Sequence, residues 1–289
     1  MHSIRASRQP AARRTRGALA AALAGWLLGA CTTGAAIDTR YHAVSQDSRV
    51  RFIIVHFTQA DFEHSLRRLT QEEVSSHYLV AADPPRVYRL VPEERRAWHA
   101  GPSFWQGATA LNSSSVGIEI VNLGNGDDAA RGYEPFPDPQ IDRVIGLIRD
   151  IAHRHGVRPD RIIGHAEVQP RTRTDPGPQF PWHRLAEAGI VPWPDPARVA
   201  AARVRFESVP PGVAWIQERL AAHGYDVPRS GVLDPATRQV IAVFQMRFRP
   251  ARYDGEPDAE TAALLEVVTA PGGLLLADGQ GRWWPFRPE

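Results

Sequence analysis

The segment Arg51-Phe-Ile-Ile-Val-His-Phe57 is an almost unbroken run of β-branched and aromatic residues. That is the pattern of a strand buried within a sheet, and it constrains everything around it, because such a strand needs partners and cover. The flanking segments supply both. Asp61–Thr70 suits a helix capped by the acid at its start, and His77–Ala82 and Arg86–Val91 read as strands joined by the turn Asp83-Pro84-Pro85. Val116–Asn122 alternates and is rich in β formers. Asp138–His155 carries Ile141, Val144, Ile145, Ile148 and Ile151 at helical spacing, with Gly156 to end the run. Arg161–Gly164 reads as a short strand and Trp182–Ala188 as a short helix. Strands mixed with helices in this way argue for an α/β domain, a mixed central sheet flanked by helices, over residues 48–195.

Pro192-Trp-Pro-Asp-Pro196 reads as a stiff break, and the Ala/Arg-rich residues 196–209 as a linker. Beyond it lies a weak internal repeat. Trp215-Ile-Gln-Glu-Arg-Leu220 leads to Gly224-Tyr225, then Asp234-Pro-Ala-Thr237 precedes one apolar helix pattern and Asp258-Ala-Glu-Thr261 another. Each Asp-x-x-Thr sets a capping residue ahead of a helix, so residues 210–268 are expected to form a small three-helix domain. A Gly-rich tail with Trp283-Trp284 occupies residues 269–289.

The N-terminus has a different character. Five arginines and no acid lie within the first 30 residues, and the uncharged apolar run Gly17–Ala30 follows the last of them. At 14 residues that run is shorter than the roughly 20 needed to span a bilayer and fits a secretory signal over residues 1–30. It ends in Leu28-Gly29-Ala30-Cys31, which resembles the lipobox of bacterial lipoproteins. The resemblance implies acylation of Cys31, a polar tether over residues 31–47, and an outer-membrane lipid anchor facing the periplasm. Without the leader, 29 arginines face 32 acids, so the basic pI belongs to the leader and nucleic acid is not expected as a partner. One cysteine excludes a disulfide framework and a thiolate-rich zinc site, and the absence of lysine removes that residue from any catalytic role.

Among eleven histidines, two lie at strand ends. His56 closes the first strand and His165 follows Ile163-Gly164, while Asp175 sits in a loop stiffened by Pro176 and Pro178. Two imidazoles and a carboxylate could form a catalytic zinc site with one open position. His153-x-His155 is a rival pair, but residues two apart on a helix do not face each other, and the helix C-terminus favours histidine on its own.

Ile-Ile-Val-His56-Phe-Thr, Ser76-His77-Tyr78, Trp98-His99-Ala-Gly101, Val116-Gly-Ile-Glu119-Ile-Val-Asn122, Gly164-His165-Ala-Glu-Val and Arg173-Thr-Asp175-Pro-Gly-Pro together resemble the type 2 N-acetylmuramoyl-L-alanine amidases, a zinc family sharing its fold with peptidoglycan-recognition proteins. Residues 210–268 resemble the peptidoglycan-binding domain that accompanies such enzymes, and the lipobox suggests their outer-membrane lipoprotein branch. The resemblance implies Zn²⁺ held by His56, His165 and Asp175, with Glu119 as the catalytic acid–base. It implies substrate contacts from His99, Asn122 and Trp98, and peptidoglycan and muropeptides as partners. Arg173 departs from the family, which often has lysine there; its fixed charge suits stabilisation of an oxyanion. No protein partner can be inferred from the sequence. Two rivals remain open: a non-catalytic peptidoglycan-recognition protein, and a zinc endopeptidase of the stem peptide.

Overall fold

A computed structural model describes Ala35, residues 37–125 and residues 132–287. The leader and Cys31 lie outside the described residues. The chain divides between Gln46 and Asp47. In the N-terminal part the described residues form no helix or strand, and Arg40 pairs with Asp38 at 2.5 Å.

From Asp47 onward the elements run β1 (Phe52–Phe57), α1 (Phe62–Gln71), β2 (Tyr78–Val80), β3 (Val87–Arg89), β4 (Phe104–Trp105), β5 (Ala108–Thr109), β6 (Ser115–Ile120) and α2 (Asp138–His155). There follow β7 (Ile162–Gly164), α3 (His165–Val168), α4 (Trp182–Glu187), β8 (Trp193–Pro194), α5 (Pro196–Ser208), α6 (Val213–His223), α7 (Pro235–Phe248), α8 (Ala259–Thr269), β9 (Leu274–Ala277) and β10 (Trp283–Pro285). The main sheet has the order β3-β2-β6-β1-β7, parallel except for β3.

All six residues of β1 are buried, and they split by parity between two cores. Ile53, Val55 and Phe57 join Ile141, Val144, Ile148 and Ile151, the stripe of α2. Phe52 and Ile54 instead share a core with Ile163 of β7 and with Ile216, Leu220, Val240, Phe244 and Leu265 of the C-terminal helices. The second face of the sheet is therefore covered by the C-terminal unit. Trp105 of the β4–β5 hairpin is fully buried there, its ring centroid 5.1 Å from that of Tyr225, and Gln106 donates its N–H to Gly224 O.

The capping expectations hold. Asp61 Oδ1 accepts from His64 N, Asp234 Oδ1 from Thr237 N and Asp258 Oδ1 from Thr261 N, each within 2.9 Å. Gly156 ends α2 with φ 66°, a left-handed conformation suited to glycine. The internal repeat is structural too. Gln217 donates to Thr237 Oγ1 and accepts from Gly231 N, while Gln245 donates to Thr261 Oγ1 and accepts from Gly255 N. Each buried glutamine thus ties its helix to the cap of the next.

Two segments differ from the sequence expectation. Residues 196–208 of the expected linker are helix α5, opened by Asp195, whose carboxylate accepts from Ala197 N and Arg198 N. Alanine and arginine are good helix formers, and α5 lies against α8, with Arg205 paired to Glu266 at 2.5 Å. The Gly-rich tail forms β9 and β10, and β9 also pairs with β8, inside the Pro-rich break, in a second sheet. Long-range pairing of this kind leaves little trace in local pattern.

Candidate metal and catalytic site

Because β1, β6 and β7 run parallel, their C-terminal ends lie side by side. His56 and Glu119 share the same register on β1 and β6, so both side chains project to one face. His165 begins α3 directly after β7, and Asp175 sits ten residues further along, its carbonyl accepting from Ala166 N at 2.7 Å. His56, His165 and Asp175 are all buried, with ligand atoms within 4.8 Å of one another.

Asp175 Oδ2 lies 3.1 Å from His56 Nδ1 and 3.0 Å from His165 Nδ1. Ligand atoms around a tetrahedral zinc with bonds of 2.0–2.1 Å would be separated by about 3.3 Å, so the cluster is close to the required size. The protonation pattern bears on the fit. Ser115 Oγ donates to Leu111 O at 2.7 Å and therefore accepts from His99 Nε2, 3.2 Å away. His99 Nδ1 is then the acceptor for His56 Nε2–H at 3.0 Å. His56 consequently presents a lone pair at Nδ1 toward the Asp175 carboxylate. Two acceptors at this distance are satisfied by a cation between them, and the residues fit zinc on that ground. Among the described residues, His165 Nε2 and Glu119 Oε2 are also buried without hydrogen-bond partners, which is uncommon for buried polar atoms.

The electrostatics agree with this assignment of charge. Burial lowers the His56 pKa to about 4, with repulsion from His165 adding to it and Asp175 opposing it, so the ring is neutral at pH 7. For Asp175, burial acts upward, but the neighbouring His165 and then His56 outweigh it and hold the carboxyl below its ordinary range. Glu119 shifts the other way. Burial and then the Asp175 charge push it well above the usual carboxylate value, against Arg68 and Arg173. Two neighbouring carboxylates with pKa values driven apart are the usual division between a fixed anion and a proton carrier.

A pocket opens over the cluster, lined among others by Glu119, Trp98, Arg68 and Arg173. Trp98 is 51% exposed, with the Arg96 guanidinium 3.9 Å from its ring centroid. Arg173 is exposed at the rim.

Of the expected substrate contacts, Trp98 and His99 line this pocket, and Asn122 is not among the described residues that do. His99 is buried, and both ring nitrogens are committed to His56 and Ser115; its ring lies so close to Gly117 that a Cβ there would fall 2.5 Å from it. It orients a candidate ligand. Asn122 is not among the pocket's lining residues: its Nδ2 donates to Glu134 O and Pro135 O, and its Oδ1 accepts from Gly124 N. It braces a loop, because a buried amide in a turn is drawn to backbone partners. The rival pair His153 and His155 is not part of the cluster; His155 lies between Ser48 and Glu93. Arg68 was missed by the sequence reading, since an exposed helix arginine carries no signal of the pocket opposite it. Glu167 and Arg247 were also missed; they form a buried ion pair at 2.7 Å.

A sheet that gathers two imidazoles and two carboxylates at the ends of its parallel strands, under an open pocket, has the equipment of a metal-dependent hydrolase. The chain belongs to the N-acetylmuramoyl-L-alanine amidase family. The family model with that description matches residues 46–178, and one described as a peptidoglycan binding domain matches residues 210–265. The N-acetylmuramoyl-L-alanine amidase AmiD of Escherichia coli K12 is 44% identical over 243 residues, 81% of this chain and 88% of AmiD. The solved complex of E. coli AmiD with anhydro-N-acetylmuramic acid-L-Ala-D-γ-Glu-L-Lys matches with a TM-score of 0.71 at 42% identity, covering 80% of this chain and 92% of that one. AMPDH3 from Pseudomonas aeruginosa, in complex with anhydromuramic pentapeptide, matches with a TM-score of 0.74 at 38% identity, covering 80% and 96%.

Proposed function

We propose that this protein is a zinc-dependent amidase that hydrolyses the bond between the lactyl group of N-acetylmuramic acid and L-alanine, in peptidoglycan and in anhydro-muramyl fragments. The observation that carries the reading is the convergence of His56 Nδ1 and His165 Nδ1 on Asp175 Oδ2, with Glu119 Oε1 4.0 Å from His56 Nδ1. His56, His165 and Asp175 would hold the ion. When bound there, zinc supplies a Lewis acid that polarises a carbonyl and acidifies water.

The remaining chemistry belongs to the chain. Glu119, whose carboxylate is made a stronger base by its buried surroundings, accepts a proton from the attacking water and, once protonated, returns it to the departing nitrogen of L-alanine. Arg173, at the rim of the pocket, offers its guanidinium to the developing oxyanion. Exposed Trp98 offers an apolar face to the sugar. The relatives solved with anhydro-muramyl peptides support that substrate class.

The lipobox ending in Cys31 supports export and acylation, and hence an outer-membrane lipoprotein facing the periplasm. Among the described residues no helix is long and apolar enough to cross a membrane. Mass spectrometry of digested muropeptides tests the activity. Release of intact stem peptide is expected; altered cross-links would mean an endopeptidase, and unchanged material a binding protein.

A further inference from the structure

His165 and Asp175 lie on a short stretch of chain that would have little rigidity alone. Helix α3 has only four residues, His165–Val168. Its first turn is closed by Glu167 Oε2, which accepts the N–H of Gly164 at 2.7 Å, and it is joined to the Asp175 loop through Ala166 N. Gly164 is packed so tightly that a Cβ would lie 2.7 Å from Pro176 Cδ. The same carboxylate oxygen receives a second bond, at 2.7 Å, from Nη1 of Arg247.

Arg247 belongs to α7, in the C-terminal unit. It is 6% exposed, its guanidinium lies 4.0 Å from the Trp182 ring centroid, and both terminal nitrogens approach Ile162 O at 3.4 Å. The guanidinium therefore touches the first residue of β7 directly and the last, Gly164, through Glu167. It spans the strand that delivers His165. Buried ion pairs often contribute little net stability compared with apolar replacements, which directs attention to the geometry this pair fixes.

We propose that Arg247 is a positioning residue for the metal site: it holds the Glu167 carboxylate on Gly164 N and so sets the turn that presents His165 beside Asp175. This rests on the zinc reading of the site. The C-terminal unit on this view completes the catalytic domain rather than only tethering it to polymer.

The test is zinc affinity of the full chain, by competition with a chromophoric chelator, for wild type, Arg247→Met, Arg247→Lys, Glu167→Gln and the double variant Arg247→Met/Glu167→Gln. Loss of a group that orients a ligand typically weakens metal binding about 10–100-fold, which is expected for Arg247→Met, with partial recovery in Arg247→Lys. Because both residues act on one turn, the double variant should bind no more than about threefold more weakly than the worse single variant. The visible spectrum of the cobalt-substituted protein should shift in Arg247→Met, a change that loss of stability alone would not produce. If Arg247→Met misfolds, Glu167→Gln, nearly isosteric, must still weaken zinc. Affinity within twofold of wild type in both variants, or single effects that multiply in the double, would overturn the proposal. Failure of the wild type to bind zinc would instead overturn the site reading beneath it.

Discussion

His56 and Glu119 stand opposite one another on adjacent parallel strands, Nδ1 4.0 Å from Oε1, with Asp175 Oδ2 3.1 Å from the same nitrogen. One atom thus faces a carboxylate held ionised and another held toward its protonated form. The difference comes from surroundings. Asp175 lies against two imidazole nitrogens, while Glu119 Oε2 is buried without a partner among the described residues. Holding a metal and moving a proton should accordingly be separable by mutation.

Glu119→Gln should retain zinc and lose turnover by about 10²–10⁴-fold, the usual scale for a positioned acid–base group. His165→Ala should lose zinc and turnover together, and chelation should reduce the wild type to the same level. Metal analysis alongside kcat decides; full zinc in His165→Ala would remove it from the site.

Arg173→Ala should lower kcat by about 10²–10³ with zinc content unchanged, the loss typical of one oxyanion donor. Arg173→Lys should keep much of the activity because the charge remains. An alanine variant within twofold of wild type would take Arg173 out of the mechanism.

Truncation before α5 should cost activity on soluble muropeptides as well as on sacculi. Phe52, Ile54 and Ile163 share their core with the C-terminal helices, and uncovering such side chains costs about 1.5–3 kcal/mol each, against a usual total stability of about 5–15 kcal/mol. A unit serving only polymer affinity would leave turnover of a soluble fragment unchanged. Comparing the two substrates, with a thermal melt, distinguishes these outcomes.

Glu93 should make the fold acid-sensitive. Burial acts to raise its pKa, but bonds from Arg154, His155 and Tyr78 outweigh it and bring it from 4.5 to about 2. A depressed carboxyl contributes its stabilisation fully above the unfolded value and loses it as pH falls from about 4.5 toward 2. Glu93→Gln should therefore lower Tm at pH 7, with the gap from wild type closing across that range. A gap constant with pH would show that the charge is not what matters.

On the lipobox reading of Leu28–Cys31, Cys31→Ser should leave the protein out of the outer-membrane fraction, because that reading places the acyl chains on this residue. Membrane fractionation after a high-salt wash is the measurement. Retention of the variant would point to another anchor.

Much of this protein is determined locally. The apolar run of β1, the isoleucine stripe of α2 and the two Asp-x-x-Thr caps each encode their element within a few residues, because periodicity and capping are short-range effects. The family-like motifs singled out His56, His165, Asp175 and Glu119 as candidates, and the fold does bring these four side chains together. What the chain pattern could not convey is which groups meet across distance. Alternation within β6 sets Glu119 opposite Ile118 and Ile120, but only parallel pairing with β1 puts it beside His56. Asn122 looked like a groove residue, yet its polar atoms are taken up by loop backbone, while His99 lines the pocket with its ring nitrogens committed to His56 and Ser115. The Ala/Arg segment gained its role as α5 only by lying against α8, and Arg247 gained its partner Glu167 from 80 residues away. Those outcomes depend on burial, where each polar group must find a partner and each apolar face must find cover, and tertiary packing alone supplies them.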